Sequence, residues 1–118
     1  MRIRAKFWLE SDQGEFLLGP GTLRLLGAVA EKGSLKAAAR SLRLGYRTAW
    51  ARLRRAEAGL GFPLLQRHSG GEGGGGSILT PEAWALLEGY QRFLEGLEEE
   101  LEARFCAAFG GRPGQVRR

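Results

Sequence analysis

Apolar and polar residues alternate over residues 2–9, with Ile3, Ala5, Phe7 and Leu9 on one side and Arg2, Arg4, Lys6 and Trp8 on the other. A period of two predicts a strand. "SDQG" then reads as a turn and "EFLLG" as the returning strand, so residues 1–19 are expected to form a β-hairpin. The period lengthens after that. From about Thr22 to Lys32, Leu23, Leu26 and Ala30 line one helical face with Leu25 and Val29 beside it, and Gly33 supplies a stop. Ser34 is a suitable N-cap for a second, short, alanine-rich helix in "SLKAAARSL". "RLG" turns the chain into a third helix, from Tyr46 to about Ala58, in which Ala49, Leu53, Ala56 and Leu60 recur as a buried stripe.

Beyond Pro63, "LLQRH" and "SILT" are short apolar-polar stretches on either side of a glycine run in which Gly70, Gly71, Gly73, Gly74, Gly75 and Gly76 surround Glu72. Matching strand signals on both sides predict a hairpin with a glycine tip and argue against a linker. A phosphate-binding P-loop is also excluded, because Ser77 and Ile78 stand where its Lys and Ser/Thr are required. Two short helices around a glycine-containing turn, the first built of small residues, read as a helix-turn-helix, although two ordinary packed helices fit the same feature. A β-hairpin directly after a helix-turn-helix is a wing. The fold class is therefore mainly α with small β: a winged helix-turn-helix over residues 20–80.

The last apolar pattern begins with Thr80 as N-cap, Pro81 at the first helical position and Glu82 in the first turn. Leu87, Tyr90, Leu94, Leu97 and Leu101 follow in a heptad-like stripe that Phe93 and Phe105 widen. One helix of roughly 28 residues is expected over 81–109, with more apolar surface than one winged core covers, and dimerisation through those five residues is its natural use. Packing back on its own domain is the alternative. Residues 1–109 would make one domain and 110–118 a flexible basic tail.

Length adds that 118 residues suit one domain with a modest core. No apolar run reaches the length of a membrane span, and the N-terminus lacks a signal-peptide core. Cys106 is the lone cysteine and the chain has one His, so no disulfide, metal site or cofactor is expected, and a cytoplasmic setting is the default. Charge changes the picture more. The net charge is +5, but residues 34–69 carry Lys36, Arg40, Arg43, Arg47, Arg52, Arg54, Arg55 and Arg67 against Glu57 alone. Residues 82–104 reverse this, with Glu82, Glu88, Glu95, Glu98, Glu99, Glu100 and Glu102 against Arg92 and Arg104. A basic middle and an acidic end suggest a polyanion-facing module joined to a segment that faces elsewhere, or a solvated charged surface.

With Ala49, Leu53 and Ala56 turned inward, the helical step puts Arg47, Ala51, Arg54 and Ala58 on the opposite face of the third helix. Tyr46 and Trp50 flank that face on one side, Thr48, Arg52 and Arg55 on the other. Arginines that can pair with guanine edges or phosphates, around a small residue that permits close approach, are what a major-groove helix needs. Thr48 or Tyr46 can hydrogen-bond a phosphate. Trp50 can lie on sugar or base methyls, or pack against the first helix or the wing. At the wing, Arg67 adds a cation, while a phosphate contact and simple exposure fit His68 equally.

"EKGSLKAAARSLRLGYRTAWARLRRAEAGLGFPLLQRHSGGEGGGGSILT", followed by an apolar helix, resembles the N-terminal DNA-binding domain of ModE-type molybdate-responsive transcription regulators, a winged helix-turn-helix similar to that of LysR-type regulators. "GS" before the second helix, "YRTAW" in the third and the glycine wing before "LT" carry the likeness, which covers about residues 20–95. The N-terminal hairpin resembles that of short archaeal and bacterial relatives. The resemblance implies a dimer whose third helix enters the major groove and whose wing, with Gly71, Gly73 and Gly74 at its tip, reaches the minor groove. On matching positions Ser34, Tyr46, Arg47, Thr48 and Trp50 would contact DNA or position the contacts, joined by Lys36 from the basic cluster. Three departures from the pattern matter. Gly45 stands where a Ser cap is common, Glu72 where the wing often has Lys, and the molybdate-binding modules of full-length regulators have no counterpart, so no direct molybdate binding is expected.

The reading is a dimeric, sequence-specific double-stranded DNA binder acting in transcription. A non-specific architectural nucleic-acid binder is the first alternative. A small oxyanion sensor using glycine-loop amides is the second, and Glu72 in that loop argues against it. Without a clustered acid–base set, catalysis is not expected.

Overall fold

A computed structural model of the chain describes residues 1–68 and 76–110. Two short strands, β1 (Leu9–Glu10) and β2 (Phe16–Leu18), pair antiparallel with Leu9 opposite Leu18 and Glu10 opposite Phe16. Ser11 organises their turn. Its Oγ accepts hydrogen bonds from Gln13 and Glu15 N–H, and its own N–H donates to Glu15 O at 2.8 Å. The expected strand over residues 2–9 is thus largely absent, and residues 1–8 lie outside any strand. Alternation marks a chain that can join a sheet, but a ladder also needs a partner. Here the returning strand is three residues long and gives way at once to Gly19 and Pro20.

Helix α1 (Pro20–Lys32) begins two residues before the apolar pattern does, because Pro at the first helical position comes with φ already set. Gly33, at φ 82°, closes it by donating its N–H to Val29 O. Helix α1 is the centre of the core. Leu23, Leu25, Leu26 and Val29 are buried from it, against Leu35, Ala38 and Ala39 of α2 (Leu35–Ser41) and Ala49, Leu53 and Ala56 of α3 (Tyr46–Leu60). Alanines at 38, 39, 49 and 56 let these helices approach closely, and loss of one methylene-sized fit there would be felt.

The turn between α2 and α3 carries a cost that the sequence does not advertise. Arg43 has φ 58°, the left-handed region that favours glycine. Leu44 N–H donates to Ala39 O at 2.8 Å and Arg43 N–H to Arg40 O at 3.1 Å, the paired bonds of a Schellman stop.

The wing follows as β3 (Leu65–His68) and β4 (Gly76–Leu79), antiparallel from Leu65 opposite Leu79 to His68 opposite Gly76. Its base is fixed by side chains. Glu57 of α3 accepts from Leu64 N–H at 2.8 Å. Thr80, 2% exposed, donates its hydroxyl to Pro63 O at 2.9 Å and accepts from Ala83 N–H at 3.1 Å, which also caps the next helix.

The C-terminal segment opens with the long helix α4 (Pro81–Leu94), but the unbroken helix expected over 81–109 is interrupted. Gly96 adopts φ 76°, and a second helix, α5 (Leu97–Phe109), starts after it. Glycine reaches that conformation without a Cβ penalty, and the heptad pattern across it carries no information about the break. Arg104 pairs with Glu100 at 3.1 Å along α5, and the Phe105 and Phe109 rings stack 4.8 Å apart.

The chain divides into two compact units, Phe7–Leu87 and Met1–Lys6 together with the segment from Glu88. The first holds the winged helix-turn-helix and the start of α4. In the second, Cys106 is buried at 3% exposure. Among the described residues, no helix is long and apolar enough to cross a membrane.

Candidate nucleic-acid interface

Helix α3 builds its outer face by the same rule that builds its inner one. Burial of Ala49, Leu53 and Ala56 leaves Arg47, Thr48, Ala51, Arg54 and Arg55 exposed, with Tyr46 at 44% and Trp50 half-buried. Gly45 starts the helix in an extended conformation without a side-chain cap. Among the described residues, ion pairs join only Lys32 to Glu31 and Arg104 to Glu100, so no arginine of α2 or α3 is neutralised by a carboxylate. The one carboxylate on α3, Glu57, is engaged by Leu64 N–H. An exposed, uncompensated row of cations is an electrostatic footprint for a polyanion.

Two of these arginines have defined neighbours. Arg54 Cζ lies 5.1 Å from the centre of the Trp50 ring, one turn back along α3. Arg52 reaches over the first turn of α1, where a Cβ on Gly21 would stand 2.8 Å from its Nη1.

Helix α2 presents Lys36 and Arg40 to solvent, and the turn adds Arg43. Ser34 is half-buried and its Oγ accepts from Ala37 N–H at 3.1 Å, so it holds the start of α2 in place. The adjacent Gly33 carbonyl accepts from Ser77 N–H of β4 at 3.1 Å. Contact there is close enough that a Cβ on Gly76 would stand 2.6 Å from Gly33 O. Wing and helix-turn-helix are thereby joined through backbone at the entry to α2.

On β3, Arg67 is exposed and pairs with Ser77. His68 has a backbone place opposite Gly76, but its side chain, and Gly71, Gly73 and Gly74 at the expected wing tip, lie outside the described residues. The expected dimer residues separate. Leu87 is 6% exposed, with Cδ1 4.0 Å from a Cβ built on Gly27, so it belongs to the winged core and is not free to meet a partner. Tyr90 is half-buried and Leu94 exposed on α4, while Leu97 and Leu101 are half-buried on α5, beyond the break. Sequence reasoning missed the clasp between Gly33 and Gly76, the position of Arg52 and the left-handed Arg43. Only the Trp50–Arg54 spacing of four left a signal that a reader could have used.

Residues 21–84 match the bacterial regulatory helix-turn-helix proteins of the lysR family. The chain is 36% identical over 87 residues to the transcriptional regulator ModE of Haemophilus influenzae, covering 74% of this chain and 34% of that protein. It is 33% identical over 86 residues to the molybdenum-pterin-binding protein MopB of Rhodobacter capsulatus, covering 73% and 32%. The chain thus spans about a third of the length of these relatives. Among solved structures, a CbnR_DBD–DNA complex is 32% identical with a TM-score of 0.57, over 75% of this chain and 95% of that one. The match takes in α1, the helix-turn-helix, the wing and the first turn of α4, and the fold agrees with it: this chain belongs to the lysR family of bacterial regulatory helix-turn-helix proteins.

Proposed function

We propose that this chain binds double-stranded DNA sequence-specifically and regulates transcription, with α3 in the major groove and the glycine-rich wing at the minor groove. The observation that carries the reading is the outer face of α3, where Arg47, Thr48, Ala51 and Arg54 are exposed and no carboxylate answers the arginines among the described residues. Membership of a DNA-binding regulator family and likeness to a domain solved on DNA support it. Lys36, Arg40 and Arg43, exposed on α2 and the turn after it, grip backbone phosphates in this reading, and the Ser34 cap holds the start of α2. Likeness to bacterial transcription regulators supports a cytoplasmic setting and a binding role without catalysis. Tyr90, Leu94, Leu97 and Leu101 form the homodimer contact. Leu97→Arg shifts the protein toward monomer in sedimentation, and a variant that stays dimeric places the contact elsewhere.

Arginine exchange separates reading from gripping. A cognate duplex is first selected from a random pool. Arg47, in the first turn of α3, is assigned to a base edge, and Arg47→Ala should cost about 1–3 kcal/mol on that duplex and relax preference at one position per half-site. A uniform loss on cognate and scrambled duplexes makes Arg47 a phosphate contact. If Arg47→Ala and Arg54→Ala both leave binding unchanged, α3 does not face DNA.

A further inference from the structure

Trp50 and Arg54 stand one helical turn apart on α3, and the guanidinium carbon lies 5.1 Å from the indole centroid, within the range of cation–π attraction. We propose that Trp50 is a positioning residue that acts through Arg54, holding its guanidinium flat so that the N–H edge faces DNA. The inference rests on the DNA-binding reading above.

In the proposed arrangement the face of the guanidinium lies toward the indole, which leaves the in-plane donors open. Partial burial of Trp50 limits the movement of the platform, whereas Arg54 is exposed and would otherwise sample many rotamers. Among the described residues no carboxylate holds Arg54, so the indole is its one defined neighbour. A planar fork fixed in this way suits a bidentate pair of acceptors, which a phosphate or the O6/N7 edge of guanine can supply. Among the described residues, Arg47, three residues before Trp50, has no such platform. The two arginines should therefore differ in their dependence on Trp50.

A double-mutant cycle on the full chain tests this. Trp50→Leu should weaken binding to the selected duplex by about two- to fivefold, the range of an exposed cation–π contact. In an Arg54→Ala background the same exchange should have little effect, and in an Arg47→Ala background its effect should persist. Trp50→Phe should restore part of the loss. Cognate and scrambled duplexes distinguish the two acceptors, since loss confined to the cognate duplex identifies a base edge and equal loss identifies a phosphate. A second readout needs no DNA: the Arg54 side-chain Nε–H resonance should move on Trp50→Leu while that of Arg47 stays. Equal losses from Trp50→Leu with and without Arg54 would overturn the inference, as would an unmoved Arg54 resonance. Loss of binding on Arg47→Ala but not on Arg54→Ala overturns the inference alone. If neither arginine matters, the orientation of α3 fails with it.

Discussion

Helix α3 and the wing belong to one unit and, in the proposed reading, one DNA surface, yet they are built on opposite principles. The outer face of α3 is made of side chains that the fold does not need. Arg47, Arg54 and Arg55 are exposed, and among the described residues no carboxylate pairs with them. The wing is held by groups the fold cannot lose. Thr80 ties its two strands to α4, Glu57 ties its first strand to α3, and Ser77 N–H ties its second to the carbonyl of Gly33. Changes on α3 should therefore alter binding while sparing stability, and changes at the wing base should do the reverse first.

The strongest break should come at Thr80. Thr80→Val keeps the shape but removes the buried cap on Ala83 N–H and the part-buried bond to Pro63 O, and should cost about 2–3 kcal/mol in urea unfolding. A loss below that of an ordinary surface substitution would mean that the wing base is not held there. Next comes the clasp. In Gly76→Ala the new methyl would stand 2.6 Å from Gly33 O, so β4 must move away, at about 1–3 kcal/mol. Hydrogen exchange at Ser77 N–H should accelerate, and DNA affinity should fall because the wing is no longer fixed to the start of α2. Arg47→Ala and Arg54→Ala should by contrast stay within about 0.5 kcal/mol of the parent in the same unfolding experiment. A large stability loss in either would erase the distinction between the two regions.

The turn between α2 and α3 sharpens it further. Arg43 holds a left-handed conformation that glycine adopts freely, so Arg43→Gly should stabilise the fold by about 0.5–1 kcal/mol. If it also weakens binding to every duplex and makes the salt dependence shallower, the strained cation serves a phosphate. The smallest effect should be at Gly45. Its extended backbone is already that of an N-cap, and Gly45→Ser should add a few tenths of a kcal/mol, read as a small rise in urea midpoint.

Much of this unit is legible in the chain. The spacing of Ala49, Leu53 and Ala56 identifies the buried stripe of α3, and every residue expected opposite it is exposed. Strand signals on both sides of the glycine run mark β3 and β4, and Ser34 caps α2 as its position suggests. The same reasoning fails over residues 2–8 and at Gly96. In the first case the alternation is present but a paired strand is not, and in the second the stripe continues through a residue that leaves the helix. Both failures have one cause: periodicity says which residues share a face, and nothing about what meets it.

By itself, then, the sequence determined the helix-turn-helix, the wing strands, the inward stripe of α3 and the separation of a basic middle from an acidic end. These follow from local period, caps and charge, which act over a few residues. The tertiary structure alone decided that Leu87 enters the winged core beside Gly27, that Arg52 crosses the first turn of α1, and that β4 closes on Gly33 so tightly that only glycine fits at 76. Each is a contact between segments far apart in the chain. Its cost or benefit depends on the distance between two backbones, a quantity that close packing sets and that no pattern along one segment contains.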